Sequence, residues 1–345
     1  MLTALLSSLQ KRQEQEQEQE QEQSDVRAAT ANDAMADIQV WEVTEPYLDL
    51  HCQLGEGPFY EEETHSLRFV DIISHRIHTV DLAAGPSSLH TLELDTTVAV
   101  TADIEGVDPR EKLAVGLKYG LAILDRKTGK YEYVYKFTDS VKPQGVTTDF
   151  ERTRANDGAA DPHGRFWLGS MTDFNLGDFQ PEGGLFLFGP SSKSGLFKAG
   201  LTIPNALGFS PDNRTLYFTH TTDNKVYAYD YDLETGAATN ERVVYTHPGP
   251  GSPDGFRVDV EGNIWHAFYG GGCVLKIDPA TGSILGKVVL PTSNITCTQF
   301  VGTELFITSA SDDAAAGGEQ SKALGGAVFK VDVGVKGLPL FKYKQ

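Results

Sequence analysis

The sequence has little cysteine. Cys52, Cys273 and Cys297 are the three in 345 residues, an odd number with no Cys-x-x-Cys spacing. A disulfide framework or a structural zinc site is therefore not expected, and a reducing compartment is. Long apolar runs are missing too. Nothing approaches the roughly 20 residues needed to cross a bilayer. The opening "MLTALLSSLQKRQ" has too short an apolar stretch for a signal sequence, and its basic pair follows that stretch instead of preceding it. These absences predict a soluble, cytoplasmic protein with no membrane partner. Bases are scarce as well: 29 Lys and Arg face 48 Asp and Glu, for a formal charge of -19. So acidic a body repels phosphate backbones, which excludes nucleic acid as an expected partner. No G-x-S-x-G elbow occurs, which argues against a Ser-His-Asp hydrolase. Gly270–Gly272 lacks the lysine and spacing of a phosphate loop and is expected to be a tight hairpin.

What the chain does have is 35 Gly, 16 Pro and 40% apolar residues. It can bury a large core while turning often, which favours an all-β fold. The run "QEQEQEQEQEQ" at Gln13–Gln23 offers no apolar face. Residues 1–38 are accordingly expected to be a low-complexity, disordered extension, and residues 39–345 one folded domain.

Within that domain, short β-branched and aromatic runs end repeatedly in one kind of turn. Examples are "TVDLAAG" from Thr79, "ILDRKTGK" from Ile123, "AYDYDLETG" from Ala228, "KIDPATGS" from Lys276 and "KVDVGVKG" from Lys330, with a looser "LFGPSSKSG" from Leu187. Each gives a strand, an acidic or polar turn, and a glycine where positive φ is wanted. Six such hairpins at intervals of roughly 40 to 65 residues fit propeller blades. A second repeat, "DPREKLAV", "DPHGRFWLG", "SPDNRTLYF" and "DVEGNIWHA", lies upstream of the first. Four strands per blade accommodate both. The expected fold is a six-bladed β-propeller, in preference to a β-sandwich.

The same frame singles out four polar residues. Asn156 precedes Trp167 by 11 positions, Asn205 precedes Tyr217 by 12, Asp254 precedes Trp265 by 11 and Glu56 precedes Arg68 by 12. Alone, any of them reads as an Asx turn. Matched offsets instead place them equivalently in four blades, at the start of the innermost strand and facing the axis. Convergent carboxylates repel unless a cation sits among them, and acids with amides are oxygen donors suited to a hard divalent ion. His220 and His266 are expected to be packed or rim residues, and the cysteines small buried ones. Tyr119, Phe256 and Tyr269 are expected in channel-side loops.

The stretches "LGEGPFYEEETHSLRFVDI", "RANDGAADPHGRFWLGSM", "IPNALGFSPDNRTLYFTHT" and "SPDGFRVDVEGNIWHAFYGGGCVLKIDPATG" resemble the SMP-30/gluconolactonase/regucalcin-like family. The resemblance runs from about Leu54 to Phe341 and leaves out the Gln/Glu-rich extension. It implies a metal-dependent lactonase whose substrate partner is a small lactone. One divalent ion, calcium or zinc foremost and manganese or magnesium next, would be held by Glu56, Asn205 and Asp254. Asp254 would also be the catalytic base. Arg154, Asn156 and Tyr119 would bind substrate. Where sugar-lactone members carry an acidic residue after a "GTM" motif, this chain has "GSMTDF", with Phe174 at that position. That departure widens the expected substrate from an aldonolactone to less polar lactones. A phosphotriesterase-like propeller hydrolase and a non-enzymatic calcium-binding propeller are the alternatives, and the oligomeric state is left open.

Overall fold

A computed structural model describes residues 38–148, 150–189 and 195–345. The expected N-terminal extension lies almost wholly outside the described residues. The rest forms six sheets arranged as the blades of a propeller. Blade 3 is representative. Thr153–Ala160 is innermost, followed outward by Phe166–Thr172, Gly183–Phe188 and Gly195–Leu201, every neighbouring pair antiparallel. The other innermost strands are Gly55–Glu61, Val98–Ala102, Pro204–Phe209, Ser252–Val258 and Ile295–Val301, for blades 1, 2, 4, 5 and 6. One short α-helix, Glu319–Leu324, occurs among the described residues, beside single 3-10 turns at Glu62–Thr64, Pro86–Ser88 and Thr221–Asp223.

The turns at Asp81, Asp125, Asp232 and Asp278 join the third strand of a blade to its fourth and share one chemistry. Asp81, Asp125, Asp232 and Asp278 each accept backbone N–H bonds from residues two or three ahead. Gly129, Gly236 and Gly282 close their turns at φ 72°, 73° and 73°, a conformation that penalises any side chain. The upstream repeat forms the turns between first and second strands. Its aromatic residues Trp167 and Trp265 are fully buried between blades.

Ring closure uses both ends of the folded domain. Blade 6 has three strands of its own, and Leu48, antiparallel to Val328, continues its sheet on the outside. Gln39–Glu42 adds a parallel fifth strand to blade 5. An N-terminal segment that pairs with the last blades turns an open row into a ring without exposed edges at the seam. The C-terminal segment crosses one end of the channel. Leu338 N–H bonds Val258 O at 2.9 Å, and Tyr343 and Lys344 N–H bond Asp103 O and Gly164 O at 2.8 Å. Beneath it, Phe59, Leu207, Phe209, Val258, Leu340 and Phe341 help line an apolar cavity of about 60 Å³.

Candidate active site

The four polar residues picked out by spacing occupy one tier of the channel. Strand register settles this more firmly than counting. Phe59, Ala159, Gly208 and Arg257 pair across their blades with Arg68, Trp167, Tyr217 and Trp265. Glu56, Asn156, Asn205 and Asp254 each stand three positions before those partners. The differing offsets in sequence reflect only turn length. The same count gives Ala99 in blade 2 and Thr296 in blade 6, so four of the six blades contribute an acid or amide.

A shared irregularity aims these side chains inward. Every innermost strand breaks register at this level, between Glu56 and Phe59, Val98 and Val100, Ala155 and Gly158, Pro204 and Leu207, Pro253 and Phe256, and Ile295 and Thr298. A bulge puts an extra residue on one strand and redirects its side chains, and such bulges recur beside active sites. The glycine after Asp254 is required for another reason. A Cβ on Gly255 would lie 2.3 Å from Cys297 Sγ.

Glu56, Asn205 and Asp254 come together. Asn205 Nδ2 donates to Asp254 Oδ1 and, at 3.1 Å, to Thr221 Oγ1. Glu56 Oε2 accepts the Gly57 N–H at 2.7 Å. Burial drives the Glu56 and Asp254 carboxyls well above their usual range. Asp254 and Asp157 raise Glu56 further, while the Gly57 N–H and Arg257 pull it back. For Asp254 the Asn205 bond lowers and Asp157 raises. Crowded buried acids of this kind hold protons unless a cation replaces them.

Asn205 Oδ1 is buried with no hydrogen-bond partner. An unpaired amide oxygen beside two carboxylates matches a hard-cation donor set. Among the described residues no three His, Cys, Asp or Glu side chains gather tightly enough to chelate an ion by themselves. That agrees with a site in which one ligand is an amide.

Arg154 and Asn156 lie beside this group. Arg154 is 1% exposed; its Nη1 donates to Asn156 Oδ1 at 3.0 Å and to Ala155 O at 2.7 Å. Asn156 Nδ2 in turn holds Pro204 O at 3.0 Å, tying blade 3 to blade 4. Burial lowers the Arg154 guanidinium to about 10, against the raising influence of Asp173 and Glu56. Phe174 stacks over it at 4.0 Å. Its neighbour Asp173 pairs with Lys118 at 2.6 Å, next to the half-exposed Tyr119. Tyr119 thus belongs to the rim and reaches the centre only through this chain of contacts. Tyr269 is on the rim at the opposite side, where burial first and then the charge of Asp254 raise its hydroxyl.

Two expectations are corrected or extended. Phe256 is not in a channel-side loop: it is fully buried in the innermost strand of blade 5, with its ring against His266 and under Gly208. Spacing also missed Asp157, the second bulge residue of "NDG". It is buried, one oxygen taking the Gly158 N–H at 2.6 Å and the other unpartnered. The adjacent acid was visible in sequence, but only the bulge turns both neighbours from the sheet. His266 is inaccessible, bonded to Thr219 at 2.8 Å, and burial lowers it to about 3. His220 bonds the Thr202 N–H at 3.1 Å and Asp223 at 2.8 Å, so both histidines are packed residues.

A propeller with this ring at one channel end defines a class, and sequence comparison identifies it. Residues 54–311 match the family described as SMP-30/Gluconolactonase/LRE-like region, and the chain belongs to it. Pentonolactonase XacC of Haloferax volcanii is 35% identical over 303 residues, covering 86% of this chain and 96% of its own. Regucalcin of Danio rerio is 35% identical over 310 residues, with 84% and 95% covered. In structure, the calcium-binding protein regucalcin from Agrobacterium tumefaciens superimposes with a TM-score of 0.75 at 26% identity, covering 89% of this chain and 99% of the other.

Proposed function

We propose that this protein hydrolyses lactones to hydroxy acids at the Glu56–Asn205–Asp254 site with one divalent metal ion. The carrying observation is the convergence of those three side chains with the Asn205 Oδ1 left unpaired. The family membership and the similarity to a pentonolactonase support the reaction class, and the calcium-binding structural relative supports the ion. When bound, such an ion supplies Lewis acidity toward the lactone carbonyl and acidifies water.

The chain's own residues do the rest. Asp254, itself buried, accepts the proton of the attacking water at short range. The new bond joins water oxygen to the carbonyl carbon. The ring C–O bond then breaks, and its oxygen leaves as a hydroxyl after taking that proton. Arg154 and Asn156, fixed by each other and by Pro204, orient substrate oxygens from blade 3. Phe174, Tyr119 and Tyr269 give the rim an aromatic character. Substrates therefore extend from aldonolactones to lactones with less polar substituents.

The test is hydrolysis by protein stripped with EDTA and resupplied in turn with calcium, zinc, manganese or magnesium. Gluconolactone, a pentonolactone, dihydrocoumarin and a phosphotriester make up the panel. Lactone turnover restored by metal supports the proposal. Turnover of the phosphotriester alone, or none with tightly bound metal, overturns it.

A further inference from the structure

An ion pair between two blades ties down the rim over Arg154. In blade 2 the second and third strands, Lys112–Leu117 and Gly120–Asp125, are joined by Lys118 and Tyr119 alone. This turn is pinned on both sides. Gly120 takes φ 145°, where a Cβ would collide with Tyr135 O, and Tyr119 O accepts the Phe137 N–H at 3.0 Å. In blade 3 the equivalent connection runs from Asp173 to Glu182, between Phe166–Thr172 and Gly183–Phe188. It is much longer, and it exposes Leu176 and Phe179. Arg152 Nε holds its far end through Glu182 at 3.0 Å. Lys118 Nζ reaches across from blade 2 and holds its near end, at 2.6 Å from Asp173 Oδ2.

The other Asp173 oxygen, Oδ1, accepts the Phe174 N–H at 2.8 Å, and the Asp173 N–H bonds Arg152 O at 2.9 Å. One carboxylate therefore fixes the backbone from which Phe174 departs. The Phe174 ring lies 4.0 Å from the Arg154 guanidinium carbon. Arg154 spends Nη1 on Asn156 Oδ1 and Ala155 O and Nη2 on Met171 Sδ, at 3.3 Å for the sulfur. Its Nε is buried with no partner. A guanidinium donates only in its own plane, so with Phe174 on one face an acceptor must approach along the edge. An unpaired buried donor is unfavourable, and this one gives Arg154 an N–H for a substrate oxygen.

We propose that Lys118 and Asp173 are positioning residues that latch Phe174 over Arg154 and so select lactones with an apolar body. The inference rests on the hydrolase reading above. With the ring fixed, the apolar part of a substrate meets an ordered aromatic surface while its oxygens meet only the guanidinium edge. With the latch loosened the ring leaves, water reaches the guanidinium, and the apolar substrate loses its contact. The Lys118 and Asp173 side chains are 31% and 13% exposed. Such a pair is sensitive to salt, and its loss changes affinity by a few-fold and not by orders of magnitude.

The experiment compares wild type, Lys118→Met, Lys118→Arg, Phe174→Ala and the double variant Lys118→Met with Phe174→Ala. For each, kcat and KM are measured for dihydrocoumarin and a pentonolactone at low and high salt. The Arg154 Nε–H signal, shifted by the ring current of Phe174 and assigned with Arg154→Lys, is followed by NMR. Lys118→Met is expected to raise KM for dihydrocoumarin roughly threefold with kcat near wild type, and to move the Nε–H signal toward its position in Phe174→Ala. High salt brings wild type toward Lys118→Met, and Lys118→Arg, which keeps the charge, restores the wild-type KM. In the Phe174→Ala background Lys118→Met is expected to change nothing further, the mark of a residue acting through the ring. An equal KM change in both backgrounds would mean that Lys118 meets the substrate directly, and it overturns the proposal. An Nε–H signal unmoved by Lys118→Met overturns it as well. If wild type opens no lactone with any metal, the hydrolase reading fails separately, and the NMR signal still decides whether the latch exists.

Discussion

The two ends of the channel are built on the same six strands and differ by three residues of depth. The upper tier carries Glu56, Asn156, Asn205 and Asp254; directly below, the same strands carry Phe59, Ala159, Gly208 and Arg257. Strand periodicity alone does not produce this change, because an odd step along a regular strand reverses the face. The bulge between the tiers restores it, so that both sets line the axis. Above the bulge the sequence places acids and amides, and burial raises the Glu56 and Asp254 carboxyls. Below it the chain packs apolar side chains and seals them with Leu338–Phe341. Apolar packing is concentrated in the lower end, and the upper end carries the buried oxygen donors to which the proposed chemistry is assigned.

That contrast can be broken at either end. The largest expected effect is at the top: Asp254→Asn should lower kcat for lactone hydrolysis by about 10³-fold, within the range for loss of a positioned base. The fold should persist, as circular dichroism would show. At the bottom, Phe209→Ala should destabilise by about 3–5 kcal/mol in urea unfolding while leaving metal affinity within about twofold, because Phe209 is buried against Tyr231 and Phe341.

A pH series sharpens the contrast further. Glu56 and Asp254 have raised carboxyls in the metal-free fold, so the folded state binds more protons than the unfolded chain above about pH 4. Stability of the metal-free protein from these groups therefore falls as pH rises. Metal replaces those protons, and the gap between metal-loaded and metal-free midpoints should widen from about pH 5 to about pH 7.5. His266 affects both forms alike and cancels from the gap. A flat gap would show that the acids are not where the ion binds. The smallest effect is at the rim: Phe174→Glu should shift the ratio of kcat/KM for a pentonolactone over dihydrocoumarin upward by about tenfold, the scale of one polar contact. No change in that ratio would remove Phe174 from substrate selection.

Much of this architecture was legible in the chain. The Asp-to-Gly turns recur because a tight hairpin needs an Asx acceptor and a positive φ, both written in local sequence at Asp125–Gly129 and Asp278–Gly282. The offsets from Trp167 and Trp265 located Asn156 and Asp254 for the same reason: a repeated unit carries a repeated position. Asp157 and Arg257 were not legible by that route. Asp157 adjoins a residue already chosen, and in a regular strand neighbours face opposite ways. Arg257 sits in "DGFRVD", where alternation gives no hint that it reaches Pro58, 199 residues away.

The sequence by itself determined six blades, their turns and the oxygen-donor tier, since these depend on short-range φ preferences and on repetition. Only the tertiary structure decided what the tier faces. Ring closure brings blades 5, 6 and 1 together, where the Arg257 guanidinium bonds Gln299 Oε1 and Pro58 O. It also sets Phe174 over Arg154. Those are relations between strands distant in the chain, and electrostatic balance in a closed channel is a property of the ring and of no single repeat.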